Sequence, residues 1–239
     1  MIDNSQRTAA KVAGWSGLLT FAIVVFGNYA LLNPLFVPAD AAKTAHKILA
    51  HETQFRIAAV CFLTYSLGVV VLLTSLYVIF KPVNPGLAFA AALFRLVFAL
   101  LWILSPLNLL AALRLLGNAS YLQVFEPDRL QALARLHLGA GFDDYYVGLP
   151  FFGLAATVCA WLWLKSNYIP RGLSIFGLIA SAWCVLCAFI FLIFPHFNKI
   201  VNDYMFDSPM ALFELIVSFW LLLKGLKAVE SNQTQAGAA

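Results

Sequence analysis

Charged residues are scarce in this chain, and their scarcity excludes most soluble classes. Asp, Glu, Lys and Arg make up only 11% of the 239 residues, whereas a soluble domain carries about 25%. Hydrophobic residues make up 62%, so the chain lacks the polar surface that a folded domain needs in water. The formal net charge of +4 is small and scattered along the sequence, and it argues against a nucleic-acid partner.

Familiar catalytic motifs are also absent. The sequence contains no phosphate-binding GxxxxGK(S/T) loop, no GxSxG turn and no dinucleotide-binding fingerprint. Its four cysteines include one CxxC pair, Cys184 and Cys187, within an apolar run. A buried thiol in such a run behaves as a small hydrophobic group. We therefore expect neither a structural disulfide nor a cofactor.

Six apolar runs dominate the sequence. Each is long enough, or nearly so, to cross a hydrocarbon core of ~30 Å, which takes about 20 helical residues. The runs predict an all-α integral membrane bundle of six transmembrane helices, in a single domain over residues 12–227. The predicted spans are 12–32, 57–80, 86–113, 145–164, 172–194 and 209–223. Residues 1–11 are predicted to form an N-terminal tail, and residues 228–239 a disordered C-terminal tail.

Basic residues predict the orientation of these helices. The two connections on the side of the N-terminus, Lys81–Pro85 and Lys165–Arg171, are short and basic, whereas the opposite loops are long and carry most of the acids. Lys and Arg concentrated in short loops mark the cytoplasmic side. Both termini are therefore predicted to be cytoplasmic, with the protein in the inner (plasma) membrane. The first apolar run exceeds the roughly 7–15 residues of a signal-peptide core, so we expect a retained helix.

Two amphipathic helices are predicted on the outer side, at about 39–55 and 127–139. In the first, Ile48 and Phe55 recur near helical spacing, and Asp40 is a suitable N-cap. Such a helix lies along the membrane surface or folds back as a lid over the bundle. Both arrangements remain open for each segment.

Several stretches resemble a known family when taken in their order and spacing. They are AKVAGWSGLL, VPADAAKTAHKILAHETQFRIA, ALFRLVFALL, VGLPFFGLAATVCAWLWLKSNYIPRGLSIFGLIAS and ELIVSFWLLLKGLK. Together they resemble the bacterial membrane proteins of a domain family of unknown function, DUF 4386, over nearly all of Lys11 to Lys227. The resemblance implies a polytopic helical membrane fold in a bacterial inner membrane. It brings no reaction, ligand or catalytic residue with it.

Arg95 and Glu214 are two charges that lie within predicted spans. Arg95 is about nine residues, or ~13 Å, into the third span, and Glu214 is about five residues, or ~8 Å, into the sixth from the opposite side. An arginine side chain largely bridges the gap that remains in a ~30 Å core. Because an unpaired charge at this depth costs at least ~2.5 kcal/mol, we expect the two to pair inside the bundle. The pair would serve as a link between helices or as part of a binding site.

Other polar residues gather near the outer ends of the predicted helices. The Asp143–Asp144 pair precedes the fourth span, so it is expected to cap that helix at its N-terminus. Tyr145 and Tyr146 follow, where aromatic rings favour the boundary between water and lipid. Arg56 begins the second span on the same side.

These residues predict a ligand-binding pocket that opens to the outer side. Its predicted lining is Arg56, Arg95, Asp144, Tyr145, Tyr146 and Glu214. Polar groups stacked beside apolar rings such as Phe98 suit a small ligand with a polar head and an apolar body. In a catalytic site, Asp144 or Glu214 would be the acid–base candidate.

A metal site would require distant residues to converge. Zinc needs three or four ligands at ~2 Å, and the candidates on the outer side are His51, His137, His196 and Asp143. They lie on separate segments, and the sequence contains no HExxH motif. We therefore expect no metal, although convergence from different helices stays open.

Three classes of function remain. We expect a membrane protein that binds or moves a small amphipathic or lipid-like ligand, with membrane lipids as its partners. The alternatives are an intramembrane enzyme that uses outer-side Asp, His and Tyr residues, and an accessory structural membrane protein. The first is favoured because polar residues that face aromatic rings suit an amphiphile, whereas no catalytic triad is visible.

Overall fold

A computed structural model describes residues 2–117 and 119–227 of the protein, and its regular elements are helices. They are α1 (Asn4–Val25), α2 (Ala41–Ala50), α3 (Glu52–Phe80), α4 (Pro85–Leu116), α5 (Pro127–Ser166), α6 (Arg171–Ile193) and α7 (Tyr204–Leu223). Short π- and 3-10-helical turns extend α1 to Leu35. The tail predicted at residues 228–239 lies outside the described residues.

Within the described ranges, six helices are long and apolar enough to cross a membrane: α1 with its extension, and α3 to α7. The prediction of an all-α, multi-pass membrane fold is confirmed. Several helices start before the predicted spans because their caps lie outside the apolar runs. Asp3 accepts a hydrogen bond from the backbone N–H of Gln6 at 2.6 Å, and Asn84 accepts one from Leu87 at 2.9 Å. Such caps satisfy backbone donors that have no partner within the helix.

Helix α5 differs most from the sequence-based expectation. The surface helix predicted at 127–139 is the first part of one continuous helix of 40 residues, Pro127–Ser166. At 1.5 Å per residue it is about 60 Å long, twice the thickness of the hydrocarbon core. The Asp143–Asp144 pair lies in the middle of this helix, so the predicted N-cap is wrong. The helix needs no break there, because Asp144 and the following tyrosines find side-chain partners on neighbouring helices.

Helix α2 folds back onto the end of the bundle. It packs against α3, α4 and α5. The segment predicted as one helix at 39–55 is divided at His51, so Ile48 belongs to α2 and Phe55 to the start of α3. Both residues are 0% exposed and belong to a core cluster with Leu109 and Leu138. Of the two arrangements left open by the sequence, the lid is the one observed for this segment.

The six spanning helices form a closed ring. Each packs against its neighbours in the order α1, α3, α4, α5, α6 and α7, and α7 returns to α1. Two glycines permit close contact between helix backbones. A Cβ added to Gly14 of α1 would lie 2.9 Å from the carbonyl oxygen of Ser218 on α7, and one added to Gly153 of α5 would lie 3.2 Å from that of Ser181 on α6. Small residues at such contacts are typical of helix packing in membranes.

One half of the ring is filled with side chains. On the side of the chain termini, apolar residues of α1, α3, α4, α5 and α7 form a core cluster, which we call the core plug. At its centre the rings of Phe80 and Trp163 lie 4.4 Å apart, edge to face. The other half of the ring encloses a cavity, which is lined by charged residues of α4, α5 and α7.

Candidate functional site

The cavity lies between the spanning helices, in the half of the bundle away from the termini. Its volume is about 560 Å³, and small-molecule sites commonly measure about 300–1,000 Å³. Along α1 and its extension the lining runs from Gly17 to Leu32, roughly 22 Å of helix. An extended molecule of this length would reach from the open half of the bundle to the core plug.

Arg95 and Glu214 pair at the deep end of the cavity, which confirms the predicted contact. Arg95 Nη1 donates to Glu214 Oε2 at 3.3 Å, and Nη2 donates to Oε1 of the same carboxylate. The Arg95 side chain is only 3% exposed and that of Glu214 is 26% exposed. The guanidinium carbon also lies 5.1 Å from the centre of the Phe152 ring. The remaining donor of Arg95, Nε, is buried without a hydrogen-bond partner among the described residues.

Helix α7 presents a row of acids to the cavity. Asp203, Asp207 and Glu214 follow one another at intervals of four and seven residues, so they share one helix face. All three line the cavity. Tyr145 Oη donates to Asp207 Oδ2 at 2.6 Å, and Tyr146 Oη donates to Asp203 Oδ2 at 3.2 Å. Adjacent tyrosines of α5 thus bind two acids one turn apart at the start of α7.

Asp144 of α5 contacts α4 in the wall of the cavity. Asn108 Nδ2 donates to Asp144 Oδ2 at 2.7 Å, and Asn108 Oδ1 is 3.4 Å from His137 Nδ1. All three residues line the cavity. The two acid–base candidates from the sequence, Asp144 and Glu214, are therefore brought to one cavity, each with a hydrogen-bond partner.

Aromatic rings form a wall along the cavity. The ring of Trp102 on α4 lies 4.7 Å from Tyr65, 6.2 Å from Phe98 and 5.9 Å from Tyr145, between centroids. The four rings line the cavity. The indole Nε1 of Trp102 is buried and has no partner among the described residues. Such a wall offers apolar area together with negative ring faces.

Exposed side chains of α1 and α7 line part of the cavity. Seven residues of these helices and of the α1 extension both line the cavity and are exposed: Phe21, Val25, Tyr29, Asn33, Tyr204, Ser208 and Leu212. The two helices also contact each other on this side, where the ring centroids of Tyr29 and Tyr204 lie 6.5 Å apart. The cavity is therefore accessible from outside the protein along this part of its wall.

Arg56 is a predicted lining residue that lies elsewhere. Its Nε donates to Glu52 Oε1 at 2.7 Å, one turn away on the surface of α3, and its side chain is 56% exposed. It lines a separate surface depression together with Leu49 and Arg114. The prediction that Arg56 shares the pocket is wrong, because the neighbouring Phe55, 0% exposed, occupies the inner face of this helical turn.

The candidate metal ligands do not come together. In the part of the chain that the structure describes, no three His, Cys, Asp or Glu residues are arranged to hold a metal ion. His137 lines the cavity, whereas His51, His196 and Asp143 are exposed. The alternative of a metal site built from these four residues is therefore wrong.

Most of the residues that line the cavity were not assigned to the site from the sequence. Those with polar or aromatic contacts there include Tyr65, Trp102, Asn108, Asp203 and Asp207. The two aspartates could have been predicted from the sequence, since acids one turn apart at the start of an apolar helix share a helix face with Glu214. The aromatic residues carried none, because rings at helical spacing are common in any membrane core.

Comparison with known proteins identifies a family. Residues 12–225 match the family model described as Domain of unknown function (DUF4386). An uncharacterized protein of Archaeoglobus fulgidus is 26% identical over 161 residues, which are 67% of this chain and 78% of that protein. No solved structure matches the chain. Because the family model matches most of the chain, the chain belongs to the DUF4386 family.

Proposed function

We propose that the protein binds or moves a small amphipathic or lipid-like molecule in the cavity. The observation that carries this proposal is the cavity itself, in which polar groups lie beside aromatic rings and part of the wall is formed by exposed side chains of α1 and α7. The apolar body of such a molecule would lie against Trp102 and Phe98, with its polar head beside the acids. Few convergent polar groups on a mostly apolar wall are typical of small-molecule sites.

A purely structural role accounts less well for the arrangement. Charged groups within a membrane are costly, and they occur mainly where they face a bundle interior and serve a function. The Arg95–Glu214 pair alone would link α4 to α7. A link of this kind requires neither a cavity of about 560 Å³ nor three further aspartates in its wall.

We also propose that the protein lies in the inner (plasma) membrane with both termini in the cytoplasm. Short basic connections on the side of the termini support this orientation. The cavity would then face the outer leaflet. A C-terminal green fluorescent protein fusion should be fluorescent and a C-terminal alkaline phosphatase fusion inactive. The opposite pattern would overturn the orientation.

The proposed function predicts that lipid chains reach Trp102. The full chain would be reconstituted in phosphatidylcholine with brominated acyl chains, which quench tryptophan fluorescence on contact. Trp102→Phe should lower the quenched fraction of the fluorescence, because it removes a tryptophan that chains in the cavity would reach.

Trp163→Phe is the matched control. Trp163 is only 2% exposed and lies in the core plug, so its replacement should raise the quenched fraction by removing an unquenched tryptophan. If Trp102→Phe also raises the quenched fraction, lipid chains do not enter the cavity and the proposed function is wrong.

A further inference from the structure

The wall of the cavity carries more negative than positive charge. Its carboxylates belong to Asp144, Asp203, Asp207 and Glu214, and its guanidinium to Arg95. The guanidinium pairs with Glu214, which leaves three aspartates. Each of the three accepts its side-chain hydrogen bond across the cavity from a neutral amide or phenol.

These three aspartates have no cationic partner among residues 2–117 and 119–227. The ion pairs found in those ranges are Lys43–Asp40, Arg56–Glu52 and Arg95–Glu214. Ionisable groups within spanning helices pair with opposite charges or line a route for a charged substrate. The cavity wall is therefore complementary to a positively charged molecule.

Aromatic rings border the aspartates. The Tyr145 ring lies 5.3 Å from that of Tyr146 and 5.9 Å from that of Trp102. A cation within about 6 Å of an aromatic face is attracted by the negative ring face, most strongly where water is excluded. Carboxylates beside aromatic faces suit an organic ammonium group, which keeps apolar contacts around its charge.

We propose that the ligand of this cavity is an organic cation: an amphiphile whose ammonium group binds the three aspartates. This inference rests on the proposed function and adds the charge of the ligand. The same chemistry occurs in free long-chain amines and in the headgroup of an aminophospholipid.

The first test measures charge preference at constant chain length. Binding of radiolabelled tetraphenylphosphonium, a permanent lipophilic cation, would be measured by equilibrium dialysis on the full chain in a neutral detergent. Dodecyltrimethylammonium should displace it at a concentration at least about tenfold lower than dodecanol or laurate, since removal of one charge interaction at ligand distance is worth a factor of ten or more.

The same displacement assay separates the two sources of the cation. Lysophosphatidylethanolamine and lysophosphatidylglycerol share a chain and a phosphate, and only the first carries an ammonium group. If lysophosphatidylethanolamine displaces tetraphenylphosphonium and lysophosphatidylglycerol does not, the inference is supported and an aminophospholipid is the source of the cation. Displacement by dodecyltrimethylammonium but by neither lysolipid supports it with a free amine. Equal displacement by both lysolipids overturns it.

Asp207→Asn and Asp144→Asn test the aspartates directly, and Asp143→Asn is the matched control. The first two variants keep the shape of the side chain and should each raise the dissociation constant for tetraphenylphosphonium about tenfold. Asp143 is exposed beside Asp144 and does not line the cavity, so its replacement should change the constant less than about twofold.

The failure of this inference is distinguishable from failure of the proposed function. Suppose that brominated lipid quenches Trp102 but tetraphenylphosphonium does not bind, or binds with the same dissociation constant to the wild type and both cavity variants. The cavity then accepts amphiphiles without regard to positive charge. That result overturns the inference and leaves the proposed function standing. Preferential displacement by laurate overturns it as well, in favour of an anion held by Arg95.

Discussion

Replacing Glu214 alone should destabilise the protein more than replacing Glu214 and Arg95 together. Glu214→Leu leaves a guanidinium that is 3% exposed and stays charged at any accessible pH. Removing one partner of a buried ion pair costs about 3–5 kcal/mol. Because the Glu214 side chain is 26% exposed, its charge is partly solvated already, and we expect the lower end of this range, about 3 kcal/mol.

The other two variants complete the cycle. Arg95→Met should cost less than Glu214→Leu, about 2 kcal/mol, because the carboxylate that it leaves without a partner is 26% exposed, whereas the Arg95 side chain is 3% exposed. The double variant replaces the pair by apolar side chains of similar volume, a change that is often neutral or stabilising. We expect it within about 1 kcal/mol of the wild type, which corresponds to a coupling of at least about 4 kcal/mol.

The free energy of unfolding would be measured by titration with dodecyl sulfate in mixed micelles. Thiol labelling gives a second readout, because all four cysteines are free and Cys159, Cys184 and Cys187 are buried. The surface pair Glu52–Arg56, with its atoms 2.7 Å apart and both side chains about half exposed, is the control and should couple by less than about 1 kcal/mol. Equal coupling for the two pairs would refute the reasoning.

Two further predictions concern glycine packing and helix capping. Gly153→Ala should destabilise by about 1–3 kcal/mol, because the new Cβ would lie 2.6 Å from Val185 Cγ2. Gly139→Ala is the control in the same helix, because the new Cβ would have nothing within 4 Å, and it should stabilise the protein by up to about 1 kcal/mol. Equal changes in the free energy of unfolding for the two variants in the dodecyl sulfate titration would contradict this prediction. Asp40 caps α2 by accepting from the backbone N–H of Lys43 at 2.8 Å, and this bond lowers the pKa of Asp40 below its ordinary value. The contribution of a lowered carboxyl pKa is complete above the unfolded-state pKa and is lost as the pH falls through the folded-state pKa. The protection factors of the α2 amides, which correct for the intrinsic pH dependence of exchange, should therefore fall at acidic pH. Asp40→Asn should remove that dependence, and an unchanged dependence in the variant would count against the cap.

Apolar runs and their lengths predicted the six spans, because in a membrane each spanning segment must satisfy its own backbone hydrogen bonds. The Arg95–Glu214 contact was also predictable, since two opposite charges at similar depth are expected to pair. Arg56 was placed wrongly, because position along a helix does not specify which side faces inwards. A rotation of 100° per residue separates Arg56 on the surface from Phe55 in the core.

The sequence by itself determined that this chain is a helical membrane protein, since composition and run length decide whether a segment is stable in lipid. Only the tertiary structure decided which polar residues meet. Helix α5 continues through Asp144 because its acid and tyrosines bind Asn108, Asp203 and Asp207 on helices far away in the sequence. Contacts of this kind depend on the rotation and order of all six helices in the ring. The helix propensity of each segment does not determine that rotation. The cavity and its excess of aspartates therefore form only when all six helices pack together.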